Sequence, residues 1–146
     1  TPEGQPLAMT ADGKAKLRQT LEQIRPKGGT AMRQAIAEAW GDICRDIKAN
    51  PEQKPIRVIV VLTDGIDNAS KVSDAQLINQ VGFAHSDGRG GYLGDSACKI
   101  PVFGIAFGDK ADDRSLKAIS EAAGGETRRG DSGEIRAIFQ RFSDLL

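Results

Sequence analysis

Neither sign of charge prevails in this chain: 20 basic residues offset 20 acidic ones, and no basic run forms a stripe able to track a phosphate backbone. Nucleic acid is therefore not an expected partner. Long apolar runs are missing too. No stretch approaches the roughly 18 residues of a membrane-spanning helix. The opening Thr1-Pro2-Glu3-Gly4-Gln5 has neither the charged nor the hydrophobic region of a signal peptide. An initiator Met is also lacking, so the chain is read as processed or cut from a longer polypeptide, and no compartment is assigned. Histidine occurs once, at His85, in a glycine-rich stretch where no motif places a Cys or Ser nucleophile beside it. This excludes a recognisable His-centred catalytic arrangement. The two cysteines are far apart. Cys44 falls on the apolar stripe of a helical pattern and Cys98 in a loop before a strand pattern. Their separation permits a bond but supplies neither a disulfide framework nor metal-type spacing, and both are read as free thiols. Aromatic residues are sparse, and Phe83 and Tyr92, which flank the glycine-rich loop, are read as packing it down.

What is present describes one compact α/β domain of 146 residues with ordinary apolar and charged fractions. Leu17, Leu21 and Ile24 recur at helical spacing over residues 12–24, and Pro26 with Gly28-Gly29 ends that run. Met32, Ala35, Ile36, Ala39, Trp40, Ile43, Cys44 and Ile47 then form a long helical stripe that Asn50-Pro51 stops. Residues 56–62 are apolar and β-branched without alternation, the mark of a strand covered on both faces in a parallel sheet. Ser73 and Gln76 are spaced as a capping box for a helix over 73–83, and residues 85–97 read as a long surface loop. A second buried strand covers 100–107, with Pro101 tolerated near its start. A helix over 112–123 ends at Gly124-Gly125, and Glu126-Thr127-Arg128 supply a short third strand. Asp131 and Glu134 pair as caps of a last helix carrying Ile135, Ile138, Phe139, Phe142 and Leu145. The order α-α-β-α-β-α-β-α predicts a Rossmann-like open parallel sheet with helices on both faces and right-handed crossovers.

In such sheets, ligands bind at the carboxyl ends of the strands. Asp64 closes the first strand in Thr63-Asp64-Gly65, and Asp109 holds the equivalent place after the second, where it reads as a turn former. Thr30 opens the long helix in Gly28-Gly29-Thr30. Locally, Asp64 could be a turn residue and Thr30 a helix cap. As a pair, a hydroxyl and a carboxylate are two of the oxygen ligands that Mg²⁺ takes. Asp67 and Asn68 follow closely, but the further acidic positions and terminal Glu of a calcium loop are absent, so they read as a solvated turn.

Four segments, in register through most of the chain, resemble the von Willebrand factor type A domain, especially its bacterial members. Gly-Gly-Thr followed by Ala-Met-Arg-Gln-Ala-Ile looks like the family's second metal-site motif, and Val-Ile-Val-Val-Leu-Thr-Asp-Gly-Ile-Asp-Asn like its third. Ile-Pro-Val-Phe-Gly-Ile-Ala-Phe-Gly resembles the strand that follows, and Leu-Lys-Ala-Ile-Ser-Glu-Ala-Ala-Gly-Gly-Glu the next helix and turn. The resemblance implies a non-enzymatic protein-interaction module holding Mg²⁺ or Mn²⁺, with Thr30 and Asp64 as metal ligands and an acidic residue of a protein partner completing the site. The family's first motif, Asp-x-Ser-x-Ser, occurs nowhere in the chain. The resemblance therefore covers the latter part of a domain across residues 1–146, lacking three strands and a helix, and metal binding by this chain alone is expected to be weak or absent. The first missing strand would lie beside residues 56–62, so that edge is expected to be covered by the missing segment, a neighbouring chain or a rearranged N-terminus. Two rival readings use the same residues. One is a Mg²⁺-dependent phosphoryl-transfer enzyme centred on Asp64, which lacks a lysine-bearing phosphate loop and a named general base. The other is a structural subunit with a degenerate metal site.

Overall fold

A computed structural model describes residues 8, 10–25, 27–83, 94–95, 97–108, 110–131 and 133–144. The eight elements follow the expected order: α1 (Ala11–Gln23), α2 (Met32–Ala49), β1 (Ile59–Thr63), α3 (Asp74–Val81), β2 (Val102–Phe107), α4 (Asp113–Ala122), β3 (Thr127–Gly130) and α5 (Ile135–Asp144). The strands form one parallel sheet in the order β1-β2-β3, with Ile59 opposite Val102 and Gly104 opposite Thr127. Among the described residues, no helix is long and apolar enough to cross a membrane.

Helices cover both faces of the sheet, unequally. On one face α2, α3 and α4 bury Ile36, Trp40, Leu77 and Leu116 against Ile59 and Val102. On the other, α5 sets Ile138 and Phe142 on Phe103 and Ile105, with the Phe103 and Phe142 ring centroids 4.6 Å apart. Side chains alternate across a strand, so an uninterrupted apolar run such as residues 102–107 feeds both layers. Gly104 lies where the sheet meets α4: a Cβ there would overlap the Leu116 side chain and the Thr127 hydroxyl.

Local signals set the helix ends. Ser73 and Gln76 form the expected reciprocal capping box on α3. Asp112 accepts from the Ser115 N–H to start α4, and Gly124 ends it at φ 67°. Asp131 accepts from the Glu134 N–H at 3.1 Å while Glu134 accepts from the Asp131 N–H at 3.3 Å, the expected pair ahead of α5. The strands are shifted from their predicted limits. β1 begins only at Ile59, because Ile56 lies 71 % exposed before the ladder and Arg57 turns aside to pair with Asp46 at 2.7 Å. β2 begins after Pro101, whose carbonyl accepts from the Ile59 N–H but which has no N–H of its own to extend the ladder. β3 runs to Gly130, two residues past the predicted stretch.

The free-thiol expectation for Cys44 and Cys98 is overturned. The two form a disulfide between buried positions with Cα atoms 5.3 Å apart, tying α2 to the segment that leads into β2. Lys48 and Asp95 form an ion pair between the same two parts of the chain. The sequence separation of 54 concealed the bond, since only the packing of α2 across the sheet brings the residues together.

Among the described residues, the β1 edge remote from β2 has no strand partner. Among the described residues α1 packs extensively against no other element. Leu17, Leu21 and Ile24 of that region are 38 %, 58 % and 59 % exposed.

Candidate functional site at the carboxyl edge of the sheet

The start of α2 lacks a cap of its own. Its N-cap position is Ala31, which makes no side-chain capping bond, so the Thr30 hydroxyl does not play the capping role open to it from local pattern. The orphan N–H groups of the first turn are satisfied instead by the loop after β1. Asp67 Oδ2 accepts from the Arg33 N–H at 2.8 Å, and Ser70 Oγ accepts from the Gln34 N–H at 3.0 Å. Asn68 Oδ1 accepts from the Thr30 N–H at 2.8 Å, and the Thr30 carbonyl accepts from the N–H groups of Asn68 and Ala69, both at 3.0 Å. Gly29 is required by this junction, because a Cβ there would overlap the Asn68 amide oxygen.

Asp67 is the centre of the junction and not the solvated turn residue expected of it. Its side chain has no exposed surface. Besides the Arg33 N–H it accepts from the Ser70 N–H at 3.0 Å, the Ser70 hydroxyl at 2.7 Å and Arg33 Nε at 3.0 Å. Burial pushes its carboxyl pKa up, but the bonds from Arg33 and Ser70 outweigh that and hold it far below the ordinary carboxylate value. The network continues: Arg33 Nη1 lies 3.0 Å from Asp74 Oδ1, which also accepts from the Ser115 hydroxyl at 2.7 Å. One buried carboxylate thus ties the β1 loop to α2, and the shared arginine extends the tie to the starts of α3 and α4.

This staple brings Thr30 and Asp64 to the same sheet edge. A Cβ on Gly65 would stand 3.4 Å from the Thr30 hydroxyl, so the residue after Asp64 lies directly against Thr30. The Gly65 carbonyl accepts from the Thr63 hydroxyl at 3.1 Å and from the Asp112 N–H at 3.2 Å, which fixes the turn carrying Asp64. Asp64 itself is exposed and makes no hydrogen bond or ion pair with a described residue. Asp109, His85 and Tyr92 lie outside the described residues, and Phe83 is half-buried.

As a cation site the pair fits in kind and falls short in number. Both donors are oxygens, as a hard divalent ion requires, but two protein oxygens leave most of an octahedral shell to other groups. Among the described residues, the grouping of three His, Cys, Asp or Glu ligand atoms within 4.8 Å is Cys44, Asp95 and Cys98, far from Asp64 in sequence and with both sulfurs bonded to each other. Sequence reading missed Arg33, Ser70 and the burial of Asp67. A signal was present: Asp67, Asn68 and Ser70 are cap-forming residue types, and α2 opens on an alanine.

An open groove of about 450 Å³ descends from this site along the free edge of β1. Ile59 to Thr63 form one wall, while Thr30, Ala35, Ile36 and Ala39 form the other.

No protein-family model matches the chain, and no curated protein sequence matches it. Among solved structures it is similar to a crystal structure described as an uncharacterized membrane spanning protein from Vibrio fischeri, at 18 % identity, covering 93 % of this chain and 67 % of that one. The TM-score is 0.48, too loose a superposition to carry an argument.

Proposed function

We infer that the chain is part of a protein-interaction module of the von Willebrand factor type A kind, non-enzymatic, in which a divalent cation at the carboxyl edge of the sheet bridges to an acidic group on a protein partner. The observation that carries this reading is the meeting of the Thr30 and Asp64 segments, with the Thr30 hydroxyl against Gly65 and Asp64 exposed and without a partner among the described residues. Thr30 and Asp64 would hold Mg²⁺ or Mn²⁺ together with water and with groups from outside the described residues. When bound, the cation supplies the positive charge that draws a partner carboxylate. The chain's own work is positioning. Asp67 and Asn68 lock the β1 loop to the start of α2, and the Gly65 bonds hold the turn on which Asp64 stands. Asp64 is assigned ligation here and not nucleophilic attack.

Weak sites are read best by a paramagnetic ion. Titrating isotopically labelled protein with Mn²⁺ should broaden the amide signals of residues 28–31 and 64–66 first, and Asp64→Ala should abolish that selectivity. Broadening that begins elsewhere, or that survives Asp64→Ala, would remove the pair from any metal role.

A further inference from the structure

Cys44 and Cys98 are both buried, so their bond is closed to exchange while the packing around it holds, because exchange needs a thiolate to reach one of the sulfurs. The chain that carries Cys98 is fastened to α2 at two points one helical turn apart. Cys98 bonds to Cys44, and Asp95 pairs with Lys48, four residues further along the helix. Asp95 also organises its own turn. Its Oδ1 accepts from the Ala97 N–H at 2.9 Å, and its carbonyl accepts from the Cys98 N–H at 2.9 Å. Asp95, Ala97 and Cys98 therefore dock on α2 as one unit. A carboxylate oxygen of Asp95 lies within 4.8 Å of both sulfurs, which sets the ion pair beside the bond.

The two fastenings differ in kind. One is covalent and buried, whereas the other joins side chains 56 % and 36 % exposed, where water and salt weaken it. Parting such a pair asks far less than unfolding the sheet, since local openings begin near zero free energy and rise to the global stability. We propose that the Lys48–Asp95 pair is the latch of a redox-sensitive bond: when it opens, a dithiol reductant reaches the sulfurs while the sheet stays folded, and reduction frees the segment entering β2 from α2. A thiolate of the reductant attacks Cys98 Sγ, the S–S bond breaks, and Cys44 Sγ leaves with the electron pair and takes a proton. The second thiolate of the reductant then attacks the mixed disulfide, and Cys98 Sγ leaves and is protonated in turn. Two electrons pass to the protein, the two protons lost by the reductant end on its thiols, and the reductant becomes a disulfide. Cys98 is assigned the attack because it belongs to the unit that opens, while Cys44 stays in the buried stripe of α2. The Asp67 staple at the start of α2 is untouched, so the helix is loosened at one end only. The device is independent of the metal reading, since neither cysteine takes part in it.

The test follows reduction of the native chain by dithiothreitol, with samples quenched in a maleimide and the number of labelled thiols read by mass. In wild type the rate should hardly change with urea below the unfolding transition, the mark of a local opening. Lys48→Gln and Asp95→Asn should each speed reduction about two- to fivefold, the size expected for the loss of a partly exposed ion pair. Asparagine keeps an acceptor for the Ala97 N–H, so the turn itself survives that substitution. Molar salt should bring wild type up towards the two variants and leave the variants where they are. Lys117→Gln, which breaks an exposed pair on α4, should reduce at the wild-type rate. A rate that climbs with urea in step with unfolding would overturn the proposal, because the bond would then open only with the whole fold. So would latch variants that reduce no faster than Lys117→Gln, or thiols that label before any reductant is added.

Discussion

Asp67 supplies at the start of α2 what no residue of that helix supplies, and it does so as a buried anion. Removing it would leave Arg33, 20 % exposed, without its main partner and the Arg33 N–H in the first turn of α2 without its acceptor. Asp67→Ala is expected to destabilise the chain by about 3–5 kcal/mol, the range for breaking a buried ion pair from one side, measured by urea denaturation. The same carboxylate sets an acid dependence. Its folded-state pKa is depressed, so its stabilisation is fully present above the unfolded Asp value of about 3.9 and is lost as pH falls from there through the lower folded value. Wild type should lose stability over that acidic window more steeply than Asp67→Asn, and denaturation midpoints taken at successive pH values will check the difference in slope. Equal slopes would mean that Asp67 does not titrate with folding.

At the scale of elements, α2 is held from three directions: the Asp67 loop at its start, the sheet along its buried stripe, and Cys98 at its last turns. Closing the 54-residue separation between Cys44 and Cys98 is worth about 4 kcal/mol if the bond acts by restricting the unfolded chain. Denaturation of wild type with and without reductant, set against a Cys44→Ala, Cys98→Ala chain, measures this. A reductant effect in the double variant would show that it has another origin. The existence and order of the elements were legible because apolar periodicity, glycine stops and capping boxes such as Ser73 with Gln76 are contained within a few residues. The N-cap of α2 was not legible in the same way, because its partners lie on another element 34 residues away.

At the scale of the whole molecule, the apolar residues separate into those that define a core and those that await one. Leu116 is fully buried between α4 and the sheet, whereas Leu21, also on a regular helical stripe, is 58 % exposed. Leu116→Ala should cost about 2–5 kcal/mol, while Leu21→Ala should stay within about 0.5 kcal/mol of wild type. Thermal melts of the two variants will separate the cases, and comparable losses would mean that α1 is packed in solution. The uneven layers express the same division. Three helices cover one sheet face, α5 covers part of the other, and the β1 edge ends in an open groove.

The sequence by itself determined the α/β class, the eight elements in order, the capping pairs of α3 and α5, and, through resemblance, Thr30 and Asp64 as the oxygen donors of interest, because each rests on short-range pattern, motif or residue chemistry. Only the tertiary structure decided that the Thr30 hydroxyl lies against Gly65, that Asp67 is buried as a remote cap, that Cys44 meets Cys98, and that Arg33 links Asp67 to Asp74. These four depend on strand order and on which helix lies over which strand. Such contacts join residues tens of positions apart, where local periodicity carries no information.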